Sequence, residues 1–168
     1  GENIGYSGHK HQKGEKALAI ADNRSNVIAP FLGRPVNETD MELLDQAFSG
    51  LREIAELVGL EIKGARITFD SGFDSKRNHA IIADAGLVPV IKPNRRRIKN
   101  EDKLHEIFAQ EDEQKPFYKE RYKVERSFAW EDCYRKTVIR YEKLSATHMG
   151  FKYLAYSLIN LRWFLKRK

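Results

Sequence analysis

Apolar residues follow two rhythms along this chain. In Lys16–Asp22 (KALAIAD) and Val27–Gly33 (VIAPFLG) they form short β-compatible runs, separated by the turn-forming stretch NRSN. The pair predicts a hairpin, and Pro30 places its second strand at an edge or bulge, because proline donates nothing to a strand ladder. Upstream, the polar, glycine-rich stretch Gly1–Gly14 reads as a loop or a ragged edge strand. The rhythm then changes. Met41, Leu44, Phe48, Leu51, Ile54, Ala55 and Val58 recur at helical spacing, and Gly59 ends the run. Thr39 and Glu42 have the spacing of a capping box for that helix, and Asp40 reads as a helix-start residue.

The segment ARITFD (Ala65–Asp70) predicts a strand, Ser75–Ala85 a helix with Gly86 just past its end, and Leu87–Lys92 a further strand. Glu101–Gln110 reads as a short helix and Glu111–Pro116 as a loop. From Phe117 the pattern is helical, with a break near Leu144–Thr147 and a last helix running to about Phe164. Strands alternating with helices predict an α/β layer fold, and the length of 168 residues suits a single domain with a buried core.

Composition narrows the class. A chain 41% hydrophobic and 32% charged is expected to be globular. A net charge of +6 favours a polyanionic partner. The single cysteine, Cys133, excludes an internal disulfide and points to a reducing compartment; beside Asp132 on a helix it reads as a packing residue. The most apolar tract, Tyr153–Leu165, carries Asn160 and Arg162 and is shorter than the ~20 residues of a membrane span, so it reads as a buried helix and no membrane is implied. With neither an initiator Met nor a signal peptide, a chain starting at Gly1 reads as a fragment.

Two carboxylates stand out by position. Asp70 closes a predicted buried strand, where it serves either as a turn or helix-cap residue or as a metal ligand. Glu125 lies on a predicted helix. Tyr118, Arg121 and Glu125 stand at i, i+3 and i+7, which puts them on one helical face. An acid there needs a partner. Arg121 is one candidate. A Mg²⁺ ion is another, since hard cations prefer carboxylate oxygen. Asp74 reads as a helix cap rather than a ligand. In Lys92–Lys99, five of eight residues are basic, which predicts an exposed loop. His9, Lys10 and His11 read as a basic segment near DNA more readily than as a metal site, because no third ligand accompanies the histidines. Trp130, Tyr134, Trp163 and Phe164 read as packing aromatics ahead of base-stacking platforms.

Tyr-x2-Arg-x3-Glu, as Tyr118, Arg121 and Glu125, resembles the signature helix of DDE transposases from bacterial insertion sequences. DSGFDS resembles the segment bearing that family's second catalytic Asp, here Asp70. GYSGHKHQKGEKALAIADN, PVNETDMELL, GLVPVIKPNRR and VERSFAWEDCYRK resemble the surrounding family segments, in family order along nearly the whole chain. The resemblance implies an RNase-H-like fold, a mixed central sheet flanked by helices, over residues 1–168 as the C-terminal part of a catalytic domain. It implies three acids converging on two divalent metals, Mg²⁺ with Mn²⁺ as substitute. Two such ions stabilise both the attacking and the leaving oxygen of an in-line phosphodiester displacement.

The chain departs from the family pattern twice. The Lys expected seven positions after the Glu falls on Asp132, with Arg135 or Lys136 one turn on as substitute phosphate contacts. The first family Asp is expected on a strand upstream of the HKHQKG region, before Gly1; Asp22, ahead of NRSN, is the only early acid at a strand end and reads as a turn residue. The implied activity is DNA strand cleavage and strand transfer at insertion-sequence ends. Asp70 and Glu125 are the implied metal ligands, with Arg121 and Tyr118 positioning Glu125 and the scissile phosphate. Lys10, Lys13, Lys92, Arg95, Arg96 and Arg97 are the candidate backbone contacts, which give affinity without sequence information. The expected setting is double-stranded DNA, both transposon ends and target, bound by a homodimer in a bacterial cytoplasm at the nucleoid. The alternatives are a DNA-binding remnant that has lost catalysis and a metal-dependent nuclease that cuts without joining.

Overall fold

The computed structural model describes residues 1–8, 11–28, 31–38, 43–93, 108 and 112–166. The chain is mixed α/β and divides into two compact units. One comprises Gly1–Ile54 and Lys123–Lys168, the other Ala55–Tyr122.

In the first unit, β1 (Gly5–Ser7), β2 (Gln12–Leu18) and β3 (Leu32–Pro35) form an antiparallel sheet in the order β1-β2-β3. The predicted hairpin forms with its strands displaced toward its open end: Leu18 pairs with Leu32 and Glu15 with Pro35, while nearer the turn the described residues show the bridge Ala21–Val27 and a bond from Ile28 N–H to Ile20 C=O. The reason lies in the turn. Asp22 accepts from the backbone N–H of Arg24 and of Asn26, both at 2.8 Å, and from Asn26 Nδ2 at 2.9 Å. The carboxylate thereby shapes the backbone that strand pairing would otherwise use. Among the described strands β3 stands last in its sheet; Pro30, read as placing it at an edge or bulge, lies outside the described residues.

Helix α1 (Leu44–Val58) buries Leu44, Ala47, Phe48 and Leu51 at i, i+3, i+4 and i+7. The predicted face reached one turn too far, since Val58 is exposed at its end. Gly59 stops the helix at φ +66°, with Leu60 N–H bonded to Ala55 C=O and Gly59 N–H to Glu56 C=O. These are the paired bonds of a Schellman cap. The capping box at Thr39 and Glu42, with Asp40, lies outside the described residues.

Helices α4 (Tyr122–Glu131), α5 (Arg135–Val138) and α6 (Ser145–Leu165) follow late in the chain. α6 packs Tyr156 and Ile159 on Phe31, with Ala17, Val27, Phe128 and Met149 around them; the Phe31 and Tyr156 rings are 4.5 Å apart. Only this face is buried. Leu154, Leu158, Leu161 and Leu165, expected inside, are 41–58% exposed. Polar ties cross the core. Asn160 Nδ2 donates to Val27 C=O at 2.9 Å and Ser127 Oγ to Ser25 C=O at 2.7 Å. A buried Arg140–Glu15 ion pair is joined by Ser145 Oγ, 2.6 Å from Glu15.

In the second unit, β4 (Arg66–Phe69) and β5 (Val88–Ile91) pair in parallel, Arg66 with Val88 and Phe69 with Ile91. Helix α2 (Lys76–Asp84) connects them and buries Ile82 near Val90, Ile91 and Leu87. Ser75 caps α2 by accepting from Asn78 N–H at 3.2 Å. Asp74, the expected cap, instead pairs with His79 Nε2 at 3.1 Å. A helical segment, α3, covers 112–119, including most of the stretch predicted as a loop; its Glu, Gln and Lys residues favour helix despite Pro116. Of the predicted helix at 101–110 only Phe108, in helical conformation, is described, and the basic run 95–97 lies outside the described residues. The described strands thus form two sheets, one in each unit, rather than one mixed sheet. Each strand finds its ladder partners inside its own unit.

Candidate functional site

Strand β4 delivers its last residue, Phe69, to the end of the parallel pair, and Asp70 follows in extended backbone as the cap of a 3₁₀ turn over Ser71–Phe73. One oxygen, Oδ1, accepts from Ser71 Oγ at 3.1 Å and from Gly72 N–H at 3.4 Å. The other, Oδ2, faces Arg121 Nη1 at 3.3 Å, and the Asp70 side chain is 59% exposed. Slight burial works against ionisation here. The Gly72 and Ser71 hydrogen bonds and the Arg121 charge outweigh it and hold the carboxyl below the ordinary carboxylate range. The turn reading of Asp70 is therefore realised, and it leaves an exposed, anionic oxygen pair at a strand end.

Tyr118 reaches the same strand ends from α3. Its hydroxyl donates to Phe69 C=O at 2.7 Å and accepts from Lys92 N–H at 2.5 Å. It therefore ties the residue before Asp70 to the residue after β5. The phenol bonds both backbone groups at the end of the ladder. Sequence reasoning assigned Tyr118 to the phosphate and missed this staple, as it missed Ser71 and Gly72 as the groups that hold Asp70. The D-S-G tripeptide was the available signal for the latter.

Tyr118, Arg121 and Glu125 do not share one continuous helical face. α3 ends at 119, residues 120 and 121 form a turn with Arg121 N–H bonded to Tyr118 C=O, and α4 starts at Tyr122. No Gly or Pro marks this break, so periodicity ran straight through it. Arg121 belongs to the second unit with Asp70, whereas Glu125 stands exposed in the first turn of α4 in the first unit.

The remaining candidates divide the same way. Lys13 is exposed on β2 opposite Tyr6, and Lys92 is exposed after β5. Lys10, His9, Arg95, Arg96 and Arg97 lie outside the described residues. His11 pairs with the Tyr6 hydroxyl at 3.4 Å. Asp22 is engaged in its turn, as read from the sequence. Asp132 is exposed, and Lys136 on α5 pairs with Glu142 at 3.7 Å. Among the described residues no three His, Cys, Asp or Glu side chains cluster as metal ligands. Among them, too, no helix is long and apolar enough to cross a membrane.

Comparison with known proteins decides the family. The model of the transposase DDE domain matches residues 1–158. The chain belongs to the DDE transposase family. One relative, a putative transposase for insertion sequence element IS402 from Burkholderia cepacia, is 28% identical over 147 residues. That match takes in 87% of this chain and 62% of the relative, so the chain spans under two thirds of its length. No solved structure matches. DDE transposases act on DNA and in general use divalent metal ions.

Proposed function

We propose that this chain is the RNase-H-like catalytic part of an insertion-sequence transposase, cutting a DNA strand at the element's end and joining the freed 3′-hydroxyl to target DNA. The observation that carries the reading is Asp70, an ionised and exposed carboxylate fixed at a strand end beside Arg121. Its chemistry suits a hard divalent cation, which carboxylate oxygens prefer. Asp70 and Glu125 would hold Mg²⁺, or Mn²⁺ in its place, and the ion supplies Lewis-acid stabilisation of the charge on the reacting phosphate. The chain's own residues then do the positioning. Tyr118 holds the two strand ends in register, and with them Asp70 and Lys92. The Arg121 guanidinium, 3.3 Å from Asp70, would place a positive charge beside a phosphate oxygen. Lys10, Lys13, Lys92, Arg95, Arg96 and Arg97 contact the backbone, and the active assembly is a homodimer on the DNA.

A second reading has its own support. The Asp22 carboxylate holds its turn, which supports its reading as a turn residue over a third acid. On that reading the chain binds DNA and does not cut it. Strand nicking and strand transfer on an element-end duplex with Mg²⁺ separate the two. Activity that appears once an Asp-bearing segment is joined ahead of Gly1 supports the enzyme. Silence in both forms supports the remnant, and products that are cut but never joined support a nuclease.

A further inference from the structure

Asn78 is the one polar side chain among the described residues of the second unit that is buried, at 1% exposed. It stands one turn before Ile82 on α2, at a helix position that an aliphatic side chain would fill without desolvating an amide. Its backbone N–H is bonded to Ser75 Oγ. Its Nδ2 donates to Phe73 C=O at 2.8 Å. Its Oδ1 is buried with no hydrogen-bond partner among the described residues. An amide kept there despite that cost is explained by the bond it makes, and that bond ends on the last residue of the 3₁₀ turn that Asp70 caps.

The turn is pinned at both ends. Phe69 before it is fixed by its pairing with Ile91 on β5. Phe73 at its end is held by Asn78, and its ring lies 5.1 Å from that of Phe69. Between these points Phe73 N–H bonds Asp70 C=O at 2.9 Å, and Asp74 N–H bonds Ser71 C=O at 3.2 Å. Ser71 and Gly72 donate to Asp70 Oδ1, so the course of the turn determines where Oδ2 points. An exposed carboxylate without such a frame rotates freely, and a metal ion that binds it must then order it. We propose that Asn78 is a positioning residue for the Asp70 metal site: its buried carboxamide fixes the end of the 3₁₀ turn, and through it the direction in which Asp70 offers an oxygen to a divalent cation.

The inference rests on the reading of Asp70 as a metal ligand, and its test keeps the two apart. Mn²⁺ binding to the 168-residue chain is followed by electron paramagnetic resonance in the unaltered protein, Asp70→Asn, Asn78→Leu and Ile82→Val, with urea unfolding of each. Asn78→Leu keeps the branched shape and removes the donor. It is expected to lower Mn²⁺ affinity about tenfold, the smaller end of the loss found when the partners of metal ligands are removed, and to speed exchange of the Phe73 amide. Ile82→Val trims the same helix away from the turn, so it should cost stability with no loss of affinity. A second measurement needs no substitution. If the Asn78 bond favours the bound ion, the bound ion favours the bond, so exchange of the Asn78 Nδ2 protons slows as Mg²⁺ is added. Unchanged affinity in folded Asn78→Leu, an equal loss in Ile82→Val, or Nδ2 exchange indifferent to Mg²⁺ overturns the role of Asn78; where Asp70→Asn still weakens Mn²⁺ binding, the metal reading of Asp70 stands. No loss of affinity in Asp70→Asn overturns both.

Discussion

Glu131 and Asp70 are carboxylates beside cations, and the two units use them in opposite ways. Glu131 in the first unit is buried, with Lys152 Nζ on one oxygen and the Tyr156 hydroxyl 2.6 Å from the other. Burial first, and then this bond to Glu131, pushes the Tyr156 phenol well above its ordinary range, so it remains a donor. Asp70 in the second unit is 59% exposed and faces a cation at 3.3 Å across water-accessible space. Burial makes the first group a structural tie, since removal of one partner strands a charge in low dielectric. Exposure makes the second cheap to re-partner, since solvent screens its ion pair to little net energy. A sequence contains both as an acid with a base not far off; only burial tells a brace from a reactive group.

Substitutions probe that contrast. Glu131→Ala should have the largest effect, a loss of about 3–5 kcal/mol in urea unfolding, because Lys152 and Tyr156 lose their shared partner. Asp70→Asn should change stability by less than about 1 kcal/mol in the same assay. A large loss at Asp70, or a small one at Glu131, breaks the comparison. Next comes Tyr118→Phe, which leaves Phe69 C=O and Lys92 N–H without their phenol. A cost of about 1–3 kcal/mol is expected, with faster amide exchange at Lys92. Unaltered exchange there would remove the staple.

Acid should weaken the first unit a little further. Burial, and the neighbouring Lys152 charge, hold His148 below its ordinary value of 6.5, against the opposing pull of Glu15 and with Arg140 adding to the depression. A base with a depressed folded pKa binds more protons when unfolded. Its contribution is therefore complete above 6.5 and is lost as the pH falls through the folded value. Thermal unfolding from pH 7.5 to 5 should show this slope, flattened in His148→Gln. The smallest effect is expected at Arg121→Gln, which should move the Asp70 carboxyl up toward its ordinary 3.8 in a carboxyl-carbon NMR titration. No movement would mean that the guanidinium does not bear on that acid.

Much of the second unit was legible in advance because its signals are local. The Ile67–Phe69 run and Gly86 after a helix each carry their own mechanism, and the strands and α2 stand close to where these residues put them, although the cap expected at Asp74 is Ser75. Gly86 takes φ +76°, which a left-handed cap requires. Less visible were features set by partners distant in sequence. The break after α3 has no local breaker, and the staple joins Tyr118 to residues 49 and 26 positions away. The exposed leucines of α6 read as core because a pattern counts apolar residues and not the surfaces available to cover them. At the site, Asp70 and its turn were readable from D-S-G, whereas the pairing of Arg121 with Asp70 was not: helical spacing pointed Arg121 toward Glu125.

Asp70 and Glu125 are proposed to hold the same divalent cations. Mn²⁺ binding followed by electron paramagnetic resonance, on duplex-bound protein, tests it in four forms: unaltered, Asp70→Asn, Glu125→Gln and both together. Each single change should lower the affinity at least about tenfold, and the double change should add little to either, as for residues acting on one shared ligand. Unchanged affinity in either single variant, or losses that simply add in the double, would contradict the account.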